Sequence, residues 1–125
     1  MSKITGIYTA ISEILAPIAM QIYFTTIPAD AVYPHIYVFV VSDKEDHHKD
    51  TNAGNTSIDT YRVQIECRAV DQETVSATKD EITDLLHSDT DMYARADVSG
   101  IPTEYDGAHR VYRGGRDYII HYKPT

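Results

Sequence analysis

The chain has 125 residues, 42% of them hydrophobic, which is enough for one domain over residues 1–125 that buries roughly two thirds of the surface its unfolded form exposes. A net charge of −8 has the wrong sign for a protein that grips phosphates, and a single cysteine, Cys67, excludes an intrachain disulfide and argues against a Cys/His zinc framework. The longest apolar run, Ile36 to Val41, is too short to cross a bilayer and the N-terminal stretch lacks the core of a secretory signal, so the expectation is a soluble chain of a reducing compartment that binds neither membrane nor nucleic acid stably.

Ile4, Ile7, Tyr8, Ile11 and Leu15 recur at helical spacing, with Thr5, Thr9, Ser12 and Glu13 on the other side, Ser2 placed to cap and Pro17 to stop. They predict a first amphipathic helix. QIYFTTIP, residues 21–28, predicts a short edge strand, because Pro28 and Pro34 suit chain outside a hydrogen-bonded ladder. IYVFVVS, residues 36–42, is β-branched and aromatic and predicts a buried strand.

The next stretch, Asp43 to Thr56, carries Asp43, Lys44, Glu45, Asp46, His47, His48, Lys49 and Asp50 and then trails into Thr, Asn and Gly. Its composition buries too little apolar area to order itself, and it is longer than a tight hairpin needs, so it predicts an arm that takes shape on a partner. The following strand, TYRVQIECRAV, alternates: Tyr61, Val63, Ile65, Cys67 and Ala69 face a core, whereas Arg62, Gln64, Glu66 and Arg68 face water. Asp71 is placed to cap a second helix running to about Ser88, with Val75, Thr78, Ile82, Leu85 and Leu86 inward and Asp80, Glu81 and Asp84 on its outer side. A terminal hairpin completes the chain. Asp106-Gly107 and Gly114-Gly115 compete for its turn; the first leaves a long last strand with Tyr112, Tyr118, Ile120 and Tyr122 on one face and makes the glycine pair a bulge or a point of close approach. The predicted fold class is α+β, a mainly antiparallel sheet of about four to five strands with two amphipathic helices packed on it.

Reaction chemistry finds little support. His47 and His48 are adjacent, so in extended chain their rings point to opposite sides and do not easily share one ion, and Asp43, Asp46 and Asp50 lack the spacing of a calcium loop. Cys67, mid-strand on an apolar face, reads as an inert hydrophobe, and no nucleophile elbow or phosphate-cradling loop is present. His35, His109 and His121 read as surface or packing residues without a visible catalytic partner. The tyrosines are more informative: ten of twelve aromatic residues are Tyr, a side chain suited to surfaces that are wet in one state and buried in another.

In order, these motifs form a pattern: an amphipathic helix, the "IY" segment and Pro-containing linker of QIYFTTIPADAVYPHIYVFVVS, a long polar loop, YRVQIECRAV, a helix bearing ATKDEITDLLH, and YRGGRDYIIHYKP. The pattern resembles the tail completion proteins of long-tailed bacteriophages, also called tail terminator or tail-to-head joining proteins. The Gly114-Gly115 pair departs from it, standing where related sequences carry ordinary strand residues. The resemblance implies a virion tail protein, assembled in the host cytoplasm, that forms a ring, usually hexameric, on the head-proximal end of the tail tube. It implies no reaction and no cofactor. The implied partners are further copies of the chain, the tail tube protein and a neck protein of the head, met through the polar arm, while DNA passes without sticking past acids drawn from Glu66, Asp80, Glu81 and Asp84. The alternatives are a head-side neck protein of the same joint and a small metal-dependent enzyme using His47 and His48.

Overall fold

The computed structural model describes residues 3–46, 58–88, 92–96 and 101–122. Helix α1, Lys3–Leu15, runs into a single 3-10 turn, Ala16–Ile18, where Pro17 ends the α-helical ladder. Strand β1, Gln21–Phe24, is followed by β2, His35–Asp46, and β3, Ile58–Ala69. Helix α2, Gln72–Ser88, precedes β4, Met92–Ala96, β5, Ile101–Asp106, and β6, Val111–Tyr122.

The strands form one mixed sheet in the order β1-β2-β3-β6-β4, with β5 also on β6. Only β1 and β2 pair in parallel. Because β3 occupies one side of β6 along its length, β4 and β5 lie end to end on the other, β4 against 118–122 and β5 against 111–115. The sheet therefore holds the predicted strands and one more. Strand β4 spans five residues between Asp- and Ser-rich segments, and its pairing with β6 is a long-range contact that local pattern does not disclose.

Both helices pack on one face. Ile7, Ile11 and Leu15 of α1 and Ile82 and Leu86 of α2 close over Ile36, Val38, Tyr61, Val63, Ile65, Tyr118 and Ile120. A smaller cluster, Cys67, Ala69 and Val75, with Met20 and Tyr112 against it, seals the end of the sheet where α2 begins. Asp71 caps α2 as expected: its carboxylate accepts the Thr74 backbone N–H at 3.1 Å and the Thr74 hydroxyl at 2.7 Å. These two bonds, the hydroxyl first, hold the Asp71 carboxyl below its ordinary range. The α2 face is tied to β6 as well: the Tyr118 hydroxyl meets Thr83 Oγ1 at 2.6 Å, and Arg116 donates to Thr83 Oγ1 and the Lys79 carbonyl.

The terminal hairpin turns after Asp106, through 107–110, with Arg110 at φ 58°. Asp106 Oδ1 accepts the Ala108 N–H and so closes the turn. Gly114 and Gly115 lie inside β6 at points of close approach. A Cβ on Gly114 would sit 2.7 Å from Thr103 Oγ1, and one on Gly115 would sit 2.6 Å from Glu66 Cα and against the Ile65 carbonyl. The pair thus lets β6 pass close to Thr103 of β5 and to the β3 backbone, where a side chain does not fit.

Two expectations for β2 need correction. The strand is not buried on both faces: Ile36 and Val38 are in the core, but Phe39 and Val41 are 36% and 46% exposed. Nor does the polar arm begin at Asp43. Asp43, Lys44, Glu45 and Asp46 are strand residues in register with Tyr61, Thr60, Asp59 and Ile58 of β3. Backbone pairing is indifferent to side-chain polarity, so a ladder continues into a charged stretch when a partner strand runs beside it. A register shift between Val40 and Ser42 marks where this outer part of the hairpin departs from the core part. His47, His48, Lys49 and Asp50 lie outside the described residues.

Candidate functional site

With both helices on one side, the opposite face of the sheet has no second layer among the described residues. Strand alternation places Tyr23 of β1, His35, Tyr37 and Phe39 of β2, Arg62, Gln64, Glu66 and Arg68 of β3, and Arg113, Gly115 and Asp117 of β6 on this face. It divides into two strips. The β1–β2 side is aromatic: Tyr23 meets His35 edge-on at 5.0 Å, Tyr33 lies 4.9 Å from the same imidazole, and Tyr37 and Phe39 stack at 6.3 Å. The Tyr37 hydroxyl donates to the Thr25 carbonyl at 2.7 Å, fixing that ring over the face.

The β3–β6–β5 side is charged but balanced. Arg62 donates to Asp117 at 2.7 Å, Arg68 reaches Glu66 at 2.7 Å, and Arg113 reaches Glu104 at 2.6 Å. Arg68 also lies over the Tyr37 ring, 5.7 Å from its centroid, and joins the two strips. Although no second layer among the described residues covers the face, Glu66 is only 7% and Asp117 6% exposed, beside the long side chains of Arg68 and Arg62 that pair with them. Asp117 Oδ1 has no hydrogen-bond partner among the described residues.

The free edge of the sheet adjoins the aromatic strip. Strand β1 pairs with β2 only from His35 to Val38, and Thr25, at φ 69°, turns the chain away after one more bond, Thr25 N–H to the Val38 carbonyl at 3.1 Å. Beyond that, Phe39–Asp46 of β2 is paired on its β3 side but has no strand on the other among the described residues. The Val40 N–H on this free side meets the Tyr8 hydroxyl at 3.4 Å. Tyr8, Thr9, Ser12, Glu13 and Phe24 line a shallow groove of about 340 Å³ beside it.

The acids proposed for a DNA path fall differently. Glu66 is not a free carboxylate on a wet face: it is enclosed on the open face and committed to Arg68, because the side chains around it on β2 and β3 are long enough to exclude water. Asp80, Glu81 and Asp84 are exposed on α2 as expected, but Asp80 accepts from Arg116 at 3.0 Å. Pairings such as Arg62–Asp117 and Arg116–Asp80 were not readable from sequence, since they depend on the β3–β6 register and on how α2 sits; the only signal was that each arginine falls on a strand position facing away from the apolar pattern or at its margin.

Cys67 is enclosed, and burial pushes its thiol up to about 11. At neutral pH it is a protonated core residue and no nucleophile. His109 pairs with Asp106 at 2.8 Å and His121 with Thr60 at 3.0 Å, both local contacts of the hairpin and sheet. No group of three or more His, Cys, Asp or Glu side chains converges on a metal-sized site among the described residues, and no described helix is long and apolar enough to cross a membrane. Comparison with models of known protein families and with curated proteins returns no match.

Proposed function

We propose that this chain is a structural subunit of a bacteriophage tail joint: it associates with copies of itself into a ring, probed first as a hexamer, that closes the head-proximal end of the tail tube and presents a docking surface to the neck. The observation that carries this reading is the free edge of β2, Phe39–Asp46, flanked by Phe39 and Val41. A long unpaired edge with apolar residues is a template for a further strand, and native chains usually blunt such edges or cover them. The opposite margin of the sheet is blunted, with two short strands end to end, Pro102 in β5 and a register shift between Ile101 and Glu104. The β2 edge itself has a register shift after Val40 and a charged run over 43–46, so its apolar part is Phe39–Val41; in a ring this edge meets a different surface of the next copy, a heterologous contact.

The balanced charges of the open face support the same reading, because interface cores exclude unpaired charge. The unmatched negative charge lies elsewhere, including Glu81 and Asp84 of α2, and we assign that helix face to the path past which DNA slides without stable binding. The protein acts by assembly and catalyses nothing. Light scattering and native mass spectrometry, with the chain alone and with assembled tail tube, test this directly. A closed oligomer, or one ring equivalent per tube end, is expected; a strict monomer that also ignores tube ends overturns the reading.

A further inference from the structure

Strand β1 is short, lies at the sheet edge and is held by four backbone pairings, so its retention depends on what lies at its base. There stands His35, fully enclosed. The Val32 carbonyl accepts a hydrogen bond from His35 Nδ1 at 2.8 Å, which places the ring proton on Nδ1. The Val32 N–H in turn donates to the Tyr23 hydroxyl of β1 at 3.2 Å, and the Tyr23 ring meets the imidazole edge-on. These contacts close a loop: β1 holds Val32, Val32 holds His35, and His35 holds β1. Tyr33 covers the remaining side of the imidazole.

The other ring nitrogen, Nε2, is buried without a hydrogen-bond partner among the described residues. As a lone pair this is tolerable. As an N–H it becomes a buried, unsatisfied donor on a cation. The groups facing His35 are Tyr23 from β1, Tyr33 from the preceding loop, and Arg68 and Glu66 from β3, with Arg113 of β6 paired beyond Arg68. Arg68 repels an imidazolium and stands opposite His35 in register. Glu66 attracts one, yet its Oε1 is already committed to Arg68.

We propose that His35 is an acid-sensitive latch: protonation releases β1 and the 25–34 loop from the sheet edge while the helix-packed core persists, leaving the β2 edge open along its whole length. Burial holds the His35 imidazole below its ordinary range, which agrees in sign. A histidine depressed in the closed state binds fewer protons there than in the open state, so closure is favoured at neutral pH and weakens as pH falls through the ordinary histidine range near 6.5.

Amide exchange of the chain between pH 7.5 and 5.5, corrected for intrinsic rates, tests the latch. Protection of the β1 amides should fall relative to the β3–β6 ladder, by up to about tenfold, because one unit below 6.5 a proton bound only by the open state shifts the closed-to-open ratio by about a factor of ten. In His35→Gln, which keeps a donor for Val32 but does not titrate, the β1-to-core ratio should be independent of pH. Nitrogen NMR of the wild-type histidines provides a readout that needs no variant: His35 should titrate below the ordinary histidine midpoint near 6.5, from the neutral Nδ1–H form. A His35 midpoint at or above 6.5, or an acid loss of β1 protection that persists in His35→Gln, overturns the proposal.

Discussion

The two faces of this sheet solve burial by opposite means. On the helix side, Ile7, Ile11, Ile65, Ile82 and Ile120 are removed from water by contact with one another, and the face is complete within one chain. On the open side, Glu66 and Asp117 are nearly as enclosed, but beside the arginines that pair with them, Arg68 and Arg62. The first arrangement gains stability from apolar area; the second satisfies polar groups and leaves a level surface with few unpaired charges. A face built in the second way gains less from apolar burial.

The largest break in this contrast should come from the helix side. Ile82→Ala removes a fully buried side chain from between α2 and the sheet and should cost about 2–5 kcal/mol, read from chemical denaturation with an unchanged slope. Gly115→Ala tests the seam between the faces. Its new Cβ meets Glu66 Cα and the Ile65 carbonyl, backbone that does not yield as a flexible side chain would, and the cost should be roughly 1–3 kcal/mol. A loss below that range would mean the β3–β6 seam has slack.

Smaller effects belong to the open face. Because Arg62 is nearly half exposed, its pairing with Asp117 is screened, and a double-mutant cycle with Arg62→Ala and Asp117→Ala should give a coupling of about 1 kcal/mol or less. The Asp71 cap offers a pH-dependent comparison. Its carboxyl is depressed in the fold, so its contribution is present above the ordinary carboxylate range near 3.9 and is lost as pH falls through the lower folded value. Asp71→Asn should therefore flatten part of the acid limb of the melting-temperature profile and leave the neutral limb of its shape unchanged.

The helix side was legible in sequence because its burial follows period. The 3.6-residue recurrence of Ile7, Ile11 and Leu15, the two-residue alternation of Tyr61 to Ala69 and the Asp71 cap are local signals, and each appears where expected. The open face was legible only in part. The alternation of Arg62 to Arg68 set those side chains away from the apolar core, but Glu66 was expected in water, since a glutamate between two arginine-flanked positions looks solvated until the neighbouring strands bring Tyr37 and Gly115 beside it. The extension of β2 to Asp46 and the existence of β4 were hidden for the same reason: both are decided by what pairs across the sheet, not by the residues of the strand itself. By sequence His35 is a surface or packing residue; its full enclosure depends on Tyr23 and Tyr33 arriving from separate segments.

The comparison turns on whether the open face and the β2 edge form an interface, and Phe39→Glu separates that question from folding. The side chain is 36% exposed and stacks on Tyr37, so its replacement should lower subunit stability by about 1 kcal/mol, too little to unfold the helix-packed core. Sedimentation velocity of wild type and variant over a wide concentration range, with and without tail tube, is the decisive measurement. The account predicts a closed oligomer for the wild type and a folded monomer for Phe39→Glu; an oligomer that forms equally well in the variant would contradict it.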